Sequence, residues 1–153
     1  MNQPQPTIRA LGEVVLRVRD IDASQQFYER ILGLEVLRRV EQEAVFFRIG
    51  EGYGGHTTTL VLFNQTWPSN REGHQWEGLA HTHSPLHHFA LTIDLNDFEP
   101  FLARMETLGI PCNTTVYPWV GWRSIQIQDP EGNCIELVAY DSTVLENEQI
   151  PGE

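Results

Sequence analysis

Two adjacent histidines stand at the start of an apolar run in the segment PLHHFALTID, residues 85 to 94. A neutral imidazole nitrogen can bind a transition metal, and an imidazole can carry a proton near neutral pH, so either histidine could do chemistry. The same segment could also be an ordinary β-strand in which both rings are structural. The choice depends on the elements that position His87 and His88.

The chain contains an internal repeat with an offset of 75 residues. The segment EVVLRVRDIDASQQFYERILGLEV (13 to 36) aligns with HFALTIDLNDFEPFLARMETLGIPC (88 to 112), with one extra residue in the second copy. In each copy an alternating strand is followed by a turn and by an apolar helical stripe that ends near Gly33 or Gly109. Asp22 and Asp97 are predicted to be the helix N-caps, since a carboxylate there accepts from free backbone NH groups.

Short β-like segments follow each helix and complete two tandem βαβββ modules. The segments are residues 35–40, 44–49 and 57–63 in the first module and 111–116, 123–128 and 133–139 in the second. The prediction is an α+β fold in one domain over residues 1–141, made of module 1 (9–63), a polar connecting segment (64–87) and module 2 (88–141). Residues 142–153 are predicted to form an acidic tail.

Strand alternation assigns the candidate residues to faces, because odd and even positions point to opposite sides of a sheet. With Phe89 and Leu91 toward the helix, His88 would lie on the open face and His87 on the helix side. Glu136, 48 residues after His88, falls on the same open face. Val61 likewise lies 48 residues after Glu13. A pseudo-twofold arrangement of the two modules would therefore bring positions 13, 61, 88 and 136 together. Buried carboxylates are costly unless they are paired, protonated or bound to a metal.

Charge and composition exclude several classes of function. The net charge of -11 repels nucleic acid and anionic lipid surfaces, and no basic patch opposes it. No apolar run approaches the roughly 18 residues of a membrane helix. The N-terminus lacks a secretory signal, so a cytoplasmic location is expected. Without such a signal the two cysteines, Cys112 and Cys134, are expected to be reduced.

The segments VVLRVRDIDASQQFYERILGLEV and RSIQIQDPEGNCIEL resemble those of the vicinal oxygen chelate superfamily, over about residues 9 to 141. This superfamily includes glyoxalase I, the fosfomycin and bleomycin resistance proteins, methylmalonyl-CoA epimerase and the extradiol dioxygenases. The resemblance implies curved mixed sheets that enclose a central cavity, and it implies a homodimer.

The resemblance also implies a metal site at Glu13, His88 and Glu136, with Val61 at the position of a fourth ligand in some branches. One nitrogen and two carboxylates would suit Fe, Mn, Ni, Co or Zn. Such an ion would chelate two neighbouring oxygens of a small substrate and stabilise a developing enolate or oxyanion. Glu136 or Glu13 could take the proton. The predicted function is that of a metal-dependent lyase, isomerase or dioxygenase-type enzyme.

The alternative is a metal-free binding protein of the bleomycin resistance type. Four tryptophans could line a ligand cleft, although buried tryptophans more often belong to a core or an interface: Trp67, Trp76, Trp119 and Trp122. Trp119, Trp122 and Arg123 could frame a cavity mouth and hold an anionic substrate. Val61 and Phe63, on the open face, are further candidate substrate contacts. His81 and His83 are expected to be structural, although their HxH spacing can chelate and leaves an entry-loop role open.

Overall fold

The computed structural model describes residues 7–68 and 86–146. The chain divides into two compact units, residues 1–78 and 79–153, and each unit contains one of the two repeats. Trp76, His81 and His83 lie outside the described residues, as do residues 69–85 of the connecting segment and residues 147–153 of the acidic tail. Each unit is built around a four-stranded mixed sheet, which confirms the predicted α+β fold of two tandem βαβββ modules.

In unit 1 the order of elements is strand, helix and three further strands. They are β1 (Glu13–Val18), α1 (Ile21–Gln26), a π-helical turn (Phe27–Ile31), β2 (Glu35–Val40), β3 (Ala44–Glu51) and β4 (Thr57–Asn64). The strand order in the sheet is β1-β4-β3-β2. The first and last strands pair in parallel, with Glu13 opposite Thr59, and the remaining pairs are antiparallel.

The helix of unit 1 covers the face of the sheet that alternation predicts. Leu16 and Val18 of β1 are buried, whereas Glu13 and Val15 on the other face are exposed. Tyr28 is fully buried and its ring lies 5.8 Å from that of Phe47 on β3. Burial of large apolar side chains at about 1.5–3 kcal/mol each is therefore what fixes the helix on this sheet.

The predicted cap of α1 is wrong by two residues. Asp20, in extended conformation, is the N-cap, and its carboxylate accepts from the backbone NH of Ala23 at 2.9 Å. Asp22 lies in the first helical turn and accepts instead from Arg39 at 2.6 Å. Two aspartates so close in sequence give the same signal, and only the backbone conformation decides which of them caps. Asp97 does occupy the N-cap position of the second helix, without a side-chain capping bond.

Unit 2 repeats this topology. Its elements are β5 (Phe89–Thr92), α2 (Phe98–Thr107), β6 (Asn113–Tyr117), β7 (Trp122–Gln128) and β8 (Cys134–Tyr140), in the sheet order β5-β8-β7-β6. β5 and β8 are parallel, and the other pairs are antiparallel. The helix-facing side of the sheet is apolar, and Ile125, Ile135 and Met105 of α2 are fully buried.

Two further predictions can be compared with the described residues. Cys112 and Cys134 are free thiols, and each of them is partly exposed rather than buried. Among residues 7–68 and 86–146, no helix combines the length and apolar character that a membrane crossing requires, and α2 has only ten residues.

An ion pair lies at the end of β8. The Nε of Arg123 is 2.7 Å from Oδ2 of Asp141, and Oδ1 of Asp141 accepts from the hydroxyl and the backbone NH of Thr143. The hydrogen bonds from Thr143, followed by the one from Arg123, lower the pKa of Asp141 from 3.8 to about 2.

We expect Asp141→Asn to make the stability of the protein less dependent on pH in acid. Because the pKa is lower in the folded state, the carboxylate stabilises the fold above the unfolded value of 3.8, and this contribution is lost as the pH falls toward about 2. Urea unfolding at several pH values should show a shallower loss of stability in the variant over that window. Asp94→Asn, at an exposed position without a side-chain capping bond, is the control. Equal slopes for Asp141→Asn and wild type would contradict the assignment.

Candidate functional site

A buried carboxylate lies on the face of the unit 2 sheet that points away from α2. Glu136 on β8 is opposite Gln126 on β7 and Ala90 on β5, so these three residues share a face. Glu136 is only 6% exposed. A carboxylate at this depth requires hydrogen-bond donors, because burial removes the water that would otherwise solvate its charge.

Two side chains supply those donors, and both donate to the same oxygen. The hydroxyl of Tyr117 donates to Oε1 of Glu136 at 2.9 Å, and Nε2 of Gln126 donates to Oε1 at 2.7 Å. Gln126 Nε2 also lies 3.2 Å from the Tyr117 oxygen and donates to it. The hydrogen bond to Glu136, with a smaller contribution from burial, raises the pKa of Tyr117 above its ordinary value of 10.0.

The second oxygen of the carboxylate faces a histidine. Oε2 of Glu136 lies 3.9 Å from Nε2 of His88, whose side chain is 41% exposed. The Nδ1 atoms of His87 and His88 are 2.6 Å apart, so one ring donates and the other accepts, depending on the tautomer. With Nδ1 occupied in this way, Nε2 is the atom of His88 that is directed toward Glu136.

Strand alternation predicts that His87 and His88 point to opposite faces, but their rings lie side by side, with the centroids 4.9 Å apart. Both histidines are exposed, and both line the same cavity. The physical reason is that β5 begins at Phe89, so neither histidine belongs to the strand and the two-residue period does not fix their directions. The structure pairs the two rings instead of separating them.

The cavity lies within unit 2 and has a volume of about 410 Å³. This size suits a small molecule. Glu136 and the two histidines lie in its wall. The remaining lining residues are apolar groups, amides and two thiols: Ile110, Pro111, Ile127, Ile135, Asn113, Gln126, Gln128, Cys112 and Cys134.

The candidates of unit 1 are each engaged within that unit. Glu13 is exposed and accepts from the Thr59 hydroxyl at 3.0 Å. Val61, at the repeat position of Glu136, is fully buried. The ring of Phe63 stacks on Trp67, with the centroids 4.6 Å apart. Phe63 and Trp67 therefore contribute to packing.

Trp119, Trp122 and Arg123 are not among the residues that line the cavity. Trp119 is 75% exposed, in a 3₁₀ turn between β6 and β7. Trp122 pairs with Tyr140 and so shares the face of Glu136, at the far end of β7. Arg123 belongs by alternation to the opposite face, where it is paired with Asp141, so contact with a substrate would require this pair to open.

Tyr117 and Gln126 are the site residues that sequence reasoning missed. Gln126 leaves a signal, because the polar positions of SIQIQ alternate with two isoleucines and fall on the side that Glu136 shares. Tyr117 leaves none, since it belongs to β6 and its contact with Glu136 depends on the pairing of three strands.

The donors in unit 2 fit part of a metal site. His88 Nε2 and Glu136 Oε2 converge, and an imidazole with a carboxylate suits a divalent transition metal. No cluster of three or more His, Cys, Asp or Glu side chains that could hold an ion occurs in the described parts of the chain. Residues 86–146 of unit 2 therefore bring two candidate ligands together.

The sequence matches a family model over residues 10–137, described as the Glyoxalase/Bleomycin resistance protein/Dioxygenase superfamily. The chain belongs to this superfamily. The match covers most of the protein and includes Glu13, His88 and Glu136.

Three relatives are similar to this superfamily member in sequence or in structure. A crystal structure of lactoylglutathione lyase from Agrobacterium tumefaciens has 26% sequence identity and a TM-score of 0.63, covering 90% of this chain and 96% of that chain. A glyoxalase/dioxygenase from Nostoc punctiforme is 21% identical with a TM-score of 0.65, covering 93% and 99%. Lactoylglutathione lyase GLX1 of Arabidopsis thaliana is 38% identical over 61 residues, which are 39% of this chain but only 22% of that protein.

Removal of a donor from Glu136 should destabilise this superfamily member. We expect Gln126→Met to lower the free energy of unfolding by about 1–3 kcal/mol, because the buried carboxylate loses a hydrogen bond. In a Glu136→Leu background the same change should cost much less, which gives a coupling of about 0.5–3 kcal/mol in a double-mutant cycle followed by urea unfolding. Gln128→Met, at an exposed position of the same strand, is the control. Additive effects of the two substitutions would contradict the assigned contact.

Proposed function

We propose that this protein is a metal-dependent enzyme of the lyase, isomerase or dioxygenase type, acting on a small oxygen-rich substrate bound through two neighbouring oxygens. One observation carries the proposal. A buried carboxylate in the wall of a cavity of about 410 Å³ presents an oxygen, Oε2 of Glu136, toward Nε2 of His88 at 3.9 Å. Membership of the superfamily supports it.

His88 and Glu136 would hold a divalent transition metal (Fe, Mn, Ni, Co or Zn), with Glu13 as the third ligand. Glu13 belongs to unit 1. It is proposed as a ligand on its repeat position and on the resemblance of this position to the ligand positions of other members. When bound, the metal would act as a Lewis acid that stabilises negative charge developing on substrate oxygens.

The side chains around the cavity would bind the substrate and handle a proton. The apolar wall would exclude water, and the amides of Asn113 and Gln128 would be available for hydrogen bonds to hydroxyl or carbonyl groups. Oε2 of Glu136 is directed into this environment while Oε1 is occupied by donors, so Oε2 would accept a proton only when it does not bind the metal. Glu13 is the second candidate for this role.

The relatives support a lyase only in part. The chain spans about a fifth of the length of the Arabidopsis lyase that it matches, so the activity of that whole protein does not carry over to this chain. We also expect a homodimer, because members of this superfamily commonly pair modules between two chains. A cytoplasmic location is a separate expectation. Light scattering on the purified protein tests the dimer.

Metal content tests the main proposal. Protein purified without added ions should contain a divalent transition metal. Glu136→Ala and His88→Ala should bind it more weakly by more than about 100-fold, since even the loss of an outer-shell partner costs 10- to 100-fold. Elemental analysis and equilibrium dialysis measure both quantities. Glu106→Ala, at an exposed position of α2, is the control. Equal and negligible metal in wild type and Glu136→Ala would refute the proposal.

The second candidate function is metal-free binding of a small molecule. The observation that favours it is that two ligands converge in the described part of unit 2, and residues 7–68 and 86–146 contain no cluster of three. Exposed Trp119 and half-exposed Trp122 would then be the candidate ligand contacts. Calorimetry of ligand binding with and without a chelator separates the two candidates. Unchanged ligand affinity in the presence of the chelator favours the metal-free binding protein, and loss of affinity favours the metalloenzyme.

A further inference from the structure

The two oxygens of Glu136 have unequal surroundings. Oε1 accepts from Tyr117 at 2.9 Å and from Gln126 at 2.7 Å. Within the part of the chain that the structure describes, Oε2 has no hydrogen-bond donor, and it lies 3.9 Å from His88 Nε2. A carboxylate has lone pairs on both oxygens, so this difference comes from its neighbours.

The backbone delivers both donors to Oε1. Gln126 is the direct cross-strand partner of Glu136, so the pairing of β7 with β8 places its amide beside the carboxylate. Tyr117 comes from the neighbouring strand β6 and reaches the same oxygen. Gln126 also donates to the Tyr117 oxygen at 3.2 Å, so the three side chains form a closed triangle. The carboxylate cannot rotate without loss of hydrogen bonds to both donors.

We propose that Tyr117 and Gln126 are positioning residues that fix the orientation of Glu136, so that Oε2 alone is presented to His88 and to a ligand between them. Where that ligand is a metal ion, the inference rests on the proposed function. The orientation of the carboxylate itself does not. The consequence for the site is that Glu136 would offer a single oxygen, Oε2, to such a ligand.

Cobalt(II) alone is the probe for the metal-binding consequence. Tyr117→Phe removes only a hydroxyl, and Gln126→Met removes the amide with little change in length. We expect each variant to bind Co²⁺ about 10- to 100-fold more weakly than wild type, as for other outer-shell partners of metal ligands. The visible absorption of bound Co²⁺ should also change, since the band intensity depends on the coordination number. Tyr140→Phe, an exposed tyrosine on the same sheet, should alter neither quantity.

A crystal structure of the double variant Tyr117→Phe/Gln126→Met without metal tests the orientation directly. We expect its Glu136 carboxylate to be rotated or to occupy two conformations, whereas wild type shows one orientation. An unchanged, single orientation in the double variant would overturn the inference, as would Co²⁺ affinity and spectrum identical to wild type in both single variants.

The two experiments separate this inference from the proposed function. If wild type binds no Co²⁺, the metal-dependent function fails, and the crystal structures alone decide whether Tyr117 and Gln126 orient Glu136. If wild type binds Co²⁺ and the variants match it, the function stands and the inference fails. A purely structural role would lower the thermal stability of the variants without changing the spectrum of bound Co²⁺.

Discussion

The burial of one carboxylate is the constraint on which the site depends. Glu136 is held in the wall of a cavity at 6% exposure, where an unpaired charge would be strongly unfavourable. Two hydrogen bonds offset this desolvation. The antiparallel register of β7 and β8 places Gln126 opposite Glu136, and Tyr117 donates from β6. Both donors bind Oε1. The hydrogen bonds that stabilise the buried carboxylate therefore also leave Oε2 directed toward His88.

The two repeats share a backbone but differ at this position. In unit 1 the counterpart of Glu136 is Val61, and its partner on β3 is Phe46, where unit 2 has Gln126. An apolar pair in one sheet thus replaces a hydrogen-bonded polar pair in the other. Val61 needs no donor when it is fully buried, so unit 1 requires no equivalent of Tyr117. The same topology therefore supports packing in one unit and a polar cavity wall in the other.

The repeat and the strand period predicted most of the fold. Both modules and the helix-facing residues follow from hydrophobic patterns that burial enforces over many residues, whereas the parallel pairing of the first and last strands is seen only in the structure. Single polar positions were predicted less well. Asp20, and not Asp22, caps α1, and His87 lines the cavity together with His88. Helix caps and strand ends depend on the local backbone conformation, which hydrophobic periodicity does not predict.

The sequence by itself determined the fold of two modules, because the repeat and the strand period are both visible in it, and it nominated Glu13, His88 and Glu136 through their repeat positions and the resemblance to the superfamily. Only the tertiary structure decided which atoms of unit 2 face one another. It joined Tyr117, Gln126 and Glu136 into one network, directed Oε2 toward His88 and engaged Arg123 with Asp141. Such contacts join different strands and segments of the chain, and the distances between their side chains follow from register and rotamer, which hydrophobic periodicity does not encode.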